Sequence, residues 1–288
     1  MHTVQYISFL PGGNKTALVI GDGYGAAERK LINGAIMEQD PEIEQVGFVK
    51  ALTGPDCPPS LQMAGGEFCG NATRSAAYYY LGGRPGELTM TVSGGEKVSC
   101  GVCENGDAWC EIPLGTGDPD TGKQIETVAP GITQVSLAGI THLVVEPETS
   151  APFLQEAANS EDPEKLKIAG LQLIEKYGLM ELEAAGVIFQ EYLPGGRLKI
   201  NPIVRVRDIE SLFYETACGS GTVAAAMVLA RKENTDMSSE MMQPSGMTIG
   251  VRITLSQTES SGERSSKVSR AIISGQVKTD LKPNSIEY

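Results

Sequence analysis

The stretch Glu67-Phe68-Cys69-Gly70-Asn71-Ala72-Thr73, EFCGNAT, sets a cysteine before small residues where a helix is expected to begin, and ETACGSGTV at 215–223 does the same half a chain length later. A thiol in that position lies beside unpaired backbone N–H groups, which stabilise a thiolate and bind an anion. Cysteine is often simply a small buried apolar residue. Two of them at matching helix starts argue instead for paired chemistry, and a repeat at half-length is what internal two-fold pseudosymmetry leaves in a sequence. The pair therefore predicts a duplicated α+β fold whose halves bring Cys69 and Cys218 to one cleft.

Working outward, 3–9, 16–21 and 44–49 read as strands and 25–38 as a helix. The helix after EFCGN is closed by glycine, and 87–113 is a succession of strands with SGG and ENGD turns. The pattern then restarts, with strands at 140–146, 185–193 and 197–207, an amphipathic helix at 163–177 and an Ala-rich helix from CGSGT. Strands at 247–255 and 268–278 follow, separated by SQTESSGERSS (256–266), which reads as an exposed, mobile loop.

The chain of 288 residues has 41% hydrophobic and 20% charged residues, an ordinary globular composition. A net charge of -13 opposes attraction to nucleic acid or anionic lipid, so small molecules are the expected partners. No segment approaches the roughly 20 apolar residues of a membrane span, and MHTVQYISFLPGGN has no basic region before a long apolar one, which predicts a cytoplasmic protein. The six cysteines, Cys57, Cys69, Cys100, Cys103, Cys110 and Cys218, are too sparse for a disulfide scaffold and are expected reduced.

Three other motifs carry less. Gly21-x-Gly23-x-x-Ala26 matches a dinucleotide fingerprint, but the strand-after-strand run at 87–113 is not a Rossmann continuation, so these glycines are expected to form a turn. Cys100 and Cys103, with Cys110 nearby, point to opposite strand faces and lack a second CxxC or a local histidine, so no metal site is expected. His142 has no recognisable triad beside it and reads equally well as a packed strand residue.

Two thiols facing each other across a cleft suit inversion of an amino-acid Cα. One group removes the proton from one face, the other delivers a proton to the opposite face, and the charge spreads onto the carboxylate. Two helix N-termini aimed at that carboxylate would stabilise it without pyridoxal phosphate. One sulfur would be thiolate and the other thiol, titrating as a coupled pair.

At these residues, and through PGGN (11–14), EQVGF (44–48), GITH (139–142) and ACGSGT, the chain resembles the cofactor-independent racemases and epimerases typified by diaminopimelate epimerase. The resemblance spans nearly the whole chain. It implies two pseudosymmetric α+β domains, each a mostly antiparallel sheet wrapped around a central helix, with the active site in the cleft between them. The corresponding division is 1–125, with 276–288 returning to it, and 126–275. It further implies Cys69 and Cys218 as the two acid/base groups, carboxylate binding at the N–H groups of Gly70, Asn71, Gly219 and Ser220, and contacts to the amino acid from Asn14 and Gln45.

Departures narrow the substrate. Ile140 stands where diaminopimelate epimerases carry an Asn, ESLFYETACG replaces their Glu-Arg-Gly segment, and the Arg for a distal carboxylate is missing. The combination of EQVGF, GGEFCGNAT, ESLFYETACGSGT and SGQVKT is most similar to the histidine racemases of staphylopine-type metallophore biosynthesis. That subgroup implies Glu215, three residues before Cys218, as partner of the substrate ammonium, while Ile140, Phe213 and Tyr214, at or beside the positions of the missing polar anchors, suggest an apolar or aromatic side-chain pocket. Expected, then, is an isomerase converting L-histidine to D-histidine without cofactor or metal. The alternatives are diaminopimelate or another amino acid as substrate, a phenazine-biosynthesis-type isomerase, and a non-catalytic amino-acid binder. The partner is a small-molecule substrate, neither nucleic acid nor membrane, and a homodimer is left open.

Overall fold

The computed structural model describes residues 2–51, 58–117, 123–160, 162–260 and 263–288. Cys57 lies outside them. The chain opens with β1 (Thr3–Pro11), β2 (Lys15–Ile20), α1 (Ala26–Gln39), β3 (Ile43–Val49), β4 (Leu61–Met63) and α2 (Gly70–Leu81). Next come β5 (Gly86–Thr91), β6 (Lys97–Val102), β7 (Ala108–Glu111), β8 (Ile125–Ala129), β9 (Ile132–Leu137) and β10 (Ile140–Val145). They are followed by α3 (Pro147–Ser160), α4 (Glu164–Lys176), β11 (Ala184–Tyr192), β12 (Leu198–Val206), β13 (Ser211–Tyr214) and α5 (Gly219–Glu233). The chain ends with β14 (Met237–Met242), β15 (Thr248–Ser260), β16 (Glu263–Gly275), β17 (Val277–Lys278) and β18 (Pro283–Glu287).

The fold is α+β, with two large, mostly antiparallel sheets. One has six strands in the order β17-β1-β2-β3-β4, with β18 also paired to β1. The other has twelve, in the order β5-β6-β7-β16-β15-β14-β12-β11-β10-β9-β8, with β13 paired to β12. Pairing of β7 with β16 joins strands from the two halves of the chain, while β17 and β18 both lie antiparallel to β1.

Two helices are buried inside this frame. In α2 every residue from Gly70 to Ala77 is buried, and in α5 so is all of Gly219–Val228. A helix without a polar face must be surrounded, and the small side chains of Ala72, Ala76, Ala77, Ala224, Ala225 and Ala226 let the strands close around both. Each helix ends in a left-handed residue that turns the chain out, Gly82 at φ 60° and Asn234 at φ 50°.

Some sequence expectations change. The segment 256–266 is not a loop in its described part: β15 and β16 stay paired from Gly250 opposite Ser274 to Ser260 opposite Glu263. Ladder hydrogen bonds are made by the backbone, so a polar stretch can extend a hairpin as well as an apolar one. Helix α3 was not anticipated, because Pro152 lies inside it. The Gly21–Gly23 segment is a turn with positive φ at both glycines, leading into α1, and β2-α1-β3 is a genuine parallel crossover. Cys100 and Cys110 are buried directly opposite each other on β6 and β7, and Cys103 is exposed. Among the described residues no three His, Cys, Asp or Glu side chains gather as a metal cluster, and no helix is long and apolar enough to cross a membrane.

Candidate active site at two helix starts

Cys69 and Cys218 are the N-cap residues of α2 and α5. Their backbones nearly coincide in conformation, φ −130° and ψ 113° against φ −127° and ψ 111°. Each sulfur accepts a hydrogen bond at 3.3 Å from the N–H three residues on, Ala72 in one case and Gly221 in the other. Thr73 and Thr222 repeat the match, their hydroxyls donating to the Cys69 and Cys218 carbonyls at 2.7 and 2.6 Å.

The helix starts meet through glycine. A Cβ added to Gly219 would lie 3.7 Å from the Gly70 Cα and 2.6 Å from Ile273 Cδ1, and one on Gly70 would lie 2.8 Å from the same methyl. Any side chain at either position would have to displace Ile273. Asn71 ties them together, donating to the Ala217 carbonyl at 2.8 Å while its own oxygen accepts from the buried Arg74 guanidinium at 2.8 Å. Arg74 also reaches the Gly275 carbonyl at 3.2 Å.

A polar chain links the sulfurs. The Cys69 thiol donates to Gln45 Oε1 at 2.8 Å, and Gln45 Nε2 donates to Glu215 Oε1 at 2.9 Å. Glu215 in turn interacts with Cys218. Burial raises the Glu215 carboxyl to about 8, against the hydrogen bonds from Cys218 and Gln45 that favour its anion. Burial likewise pushes both thiols well above the ordinary range, with the Ala72 and Gly221 N–H groups pulling the other way.

On the Cys218 side, Ser220 Oγ lies 3.6 Å from the sulfur and 2.9 Å from His142 Nε2. His142 is fully buried, and desolvation holds its pKa down at about 3, so the ring is neutral. Gly186 makes room for it, since a Cβ there would stand 2.4 Å from His142 Nδ1.

A narrow cavity of about 40 Å³ lies between the helix starts, bordered by Gln45, Cys69, Gly70, Asn71, Glu215, Cys218, Gly219 and Ser220. Asn14 is not at its wall. Its amide donates to Glu44 Oε2 at 2.7 Å and its oxygen accepts from Thr16, so it acts on the cavity through Glu44, whose carboxylate also takes hydrogen bonds from Thr216. Ile140 and Phe213 border the cavity as the side-chain reading expected, but Tyr214 does not. Successive residues of β13 face opposite ways, and the Tyr214 hydroxyl is turned to Asn201 Oδ1 at 2.8 Å.

Sequence reasoning missed Glu44 and Glu67 at the wall and left His142 undecided. For His142 the signal was its place in GITH. Glu67 had none beyond lying two residues before a thiol.

Comparison with known proteins identifies the family. A family model described as histidine racemase CntK N-terminal domain matches residues 3–278. A histidine racemase of Fusobacterium nucleatum subsp. nucleatum is 28% identical over 256 residues, covering 85% of this chain and 88% of that protein. Among solved structures, a hydroxyproline epimerase from Agrobacterium vitis with bound trans-4-hydroxy-L-proline superposes with a TM-score of 0.60 at 12% identity, over 99% of this chain and 92% of that one. A Bacillus anthracis phenazine biosynthesis protein of the PhzF family also gives 0.60, at 13% identity over 100% of both chains. At such identities the structural likenesses speak for the fold.

Proposed function

The chain belongs to the histidine racemase CntK N-terminal domain family and is an isomerase, an amino-acid racemase; on that premise we propose that it interconverts L- and D-histidine by a two-base mechanism using Cys69 and Cys218. The observation that carries the mechanism is the matched pair of cysteine N-caps at one cavity.

In this reading the substrate carboxylate lies against the N–H groups of Gly70, Asn71, Gly219 and Ser220, where two helix N-termini favour negative charge. One sulfur, as thiolate, takes the α-proton and becomes a thiol. The electron pair left on Cα delocalises into the carboxylate, which the N–H groups stabilise in place. The opposite thiol gives its proton to the other face and becomes the thiolate, so each turnover leaves the pair with its roles exchanged. Glu215 holds the α-ammonium, and arrival of that cation favours ionisation of a carboxyl and a thiol that burial otherwise keeps neutral.

A cavity of about 40 Å³ holds a few waters rather than an amino acid. Binding therefore widens the cleft. We read 1–125 with 276–288, and 126–275, as two lobes that open the cleft by moving about the β7–β16 ladder that joins them.

Histidine is favoured over diaminopimelate because Ile140 and Phe213 present an apolar wall and no Lys or Arg borders the cavity among the described residues, so a distal carboxylate would be left unpaired. The test is incubation with each L-amino acid in D2O without added cofactor, following α-proton loss by NMR and chirality by chromatography. L-histidine is expected to exchange and racemise fastest. A tenfold preference for diaminopimelate, about 1.4 kcal/mol in transition-state binding, would overturn the substrate assignment.

A further inference from the structure

Three carboxyl groups border the cavity, and two are already engaged. Glu44 accepts from Asn14 and Thr216, and Glu215 from Gln45. Glu67 differs: its Oε2 is buried without a hydrogen-bond partner. The backbone makes space for that oxygen, because a Cβ on Gly65 would come within 2.6 Å of Glu67 Oε2 and 2.7 Å of Val206 Cγ1. Val206 lies beside the same Gly65 position, and Val204, Ile209, Ser211 and Phe213 wall the same cavity.

The backbone N–H groups of Gly65 and Glu67 favour the anion, but a carboxyl oxygen buried without a partner still costs stability, and a leucine of similar size would not incur that cost. A polar ligand group arriving at Oε2 removes it. The α-carboxylate is matched by the helix N–H groups and the α-ammonium by Glu215, which leaves the substrate side chain as the group without a counterpart. We propose that Glu67 determines side-chain specificity, its carboxyl accepting the ring N–H of a flat heteroaromatic substrate seated among Val204, Val206 and Phe213. The assignment rests on the histidine reading above. Burial raises the Glu67 carboxyl to about 7, so a protonated ring entering beside it favours the carboxylate form.

The test compares Glu67→Leu and Glu67→Gln with the unmodified protein, using L-histidine and L-β-(2-thienyl)alanine, whose flat five-membered ring has no N–H. In Glu67→Leu the ratio of kcat/KM for histidine to that for thienylalanine is expected to fall tenfold or more, through KM, while the Tm of the ligand-free protein stays level or rises. Glu67→Gln, which keeps an acceptor oxygen, retains more of the preference, and it carries the ratio measurement if the leucine variant does not fold. An unchanged ratio in a folded variant overturns the proposal. So does a lowered Tm with equal loss on both substrates, which would mark a structural role. If the unmodified protein racemises histidine but the ratio holds, the Glu67 assignment alone falls. If it prefers an amino acid without a side-chain N–H, the histidine reading falls with it.

Discussion

Cys69 and Cys218 occupy the same backbone position in two helices and different chemical surroundings. Their cap dihedrals, the N–H bonds to sulfur and the threonine hydroxyls on the cap carbonyls are duplicated closely. Their side-chain neighbours are not. Cys69 donates to a neutral amide, Gln45, whereas Cys218 lies against Glu215 and a Ser220–His142 pair. In the proposed mechanism, inverting a carbon takes two proton carriers aimed from opposite sides, a role the repeated cap would fill. The two carriers would meet different faces of a chiral molecule, and the unmatched neighbours would answer to that difference.

The strongest way to break the comparison is to remove either sulfur. Cys69→Ser and Cys218→Ser are each expected to lower racemisation by about 10³-fold or more, within the range for loss of a positioned acid or base. Both variants should stay folded and keep a one-sided reaction, elimination from a β-halogenated analogue. Stopped-time chiral assays check the first point and halide release the second.

Glu215→Gln should come next. Loss of the charged partner of the α-ammonium is expected to reduce kcat/KM about a hundredfold, roughly 2.7 kcal/mol, in keeping with a hydrogen bond to a charged group. The same variant tests the buried carboxyl. Because its folded value is raised from 4.5 to about 8, its contribution to stability is fully present below pH 4.5 and is lost as pH rises to about 8. The Tm of the ligand-free protein should thus show a declining component across that window, absent from Glu215→Gln.

Ser220→Ala sharpens the asymmetry. It strips Cys218 of a hydroxyl neighbour and His142 of its Nε2 partner while leaving the Cys69 side intact. The expected loss is about tenfold, and the primary deuterium isotope effect should rise for one enantiomer of the substrate more than for the other. Equal changes for both would mean that the two sides are chemically alike.

The smallest effect concerns the helix ends. Gly82→Ala forces a side chain into the left-handed region that closes α2, at a cost of about 1 kcal/mol and, for a protein of this size, a fall in Tm of about 2–4 °C. Racemisation should be unchanged, since the substitution is at the far end of α2 from Cys69.

These tests divide as the sequence itself did. Both helix starts were legible because a cap is local: the cysteine and the small residues after it lie within one turn, and in the first helix the closing glycine follows within one helix length. Gln45 and Glu215 came from the resemblance, and both are at the cavity. What stayed hidden depends on packing between distant segments. His142 comes to Ser220 only because β10 packs on α5, 78 positions apart in the chain. Asn14 looks like a ligand-binding residue in sequence and is held by Glu44 in space. Tyr214 was read as part of the pocket along with Phe213, though strand alternation sends the two in opposite directions. Helix α3 was concealed by Pro152, and the paired length of β15 and β16 by side chains too polar to announce a strand.

The central claim is that two different thiols serve the two faces of one carbon. It is tested most directly by racemising L-histidine in D2O and analysing both enantiomers at early conversion. If one sulfur removes the proton and the other delivers a solvent-derived one, the newly formed D-histidine carries deuterium at Cα while the remaining L-histidine still carries hydrogen. D-histidine that retains the original α-hydrogen, or L-histidine that gains deuterium as fast as product forms, would point to a single base working on both faces and contradict the account.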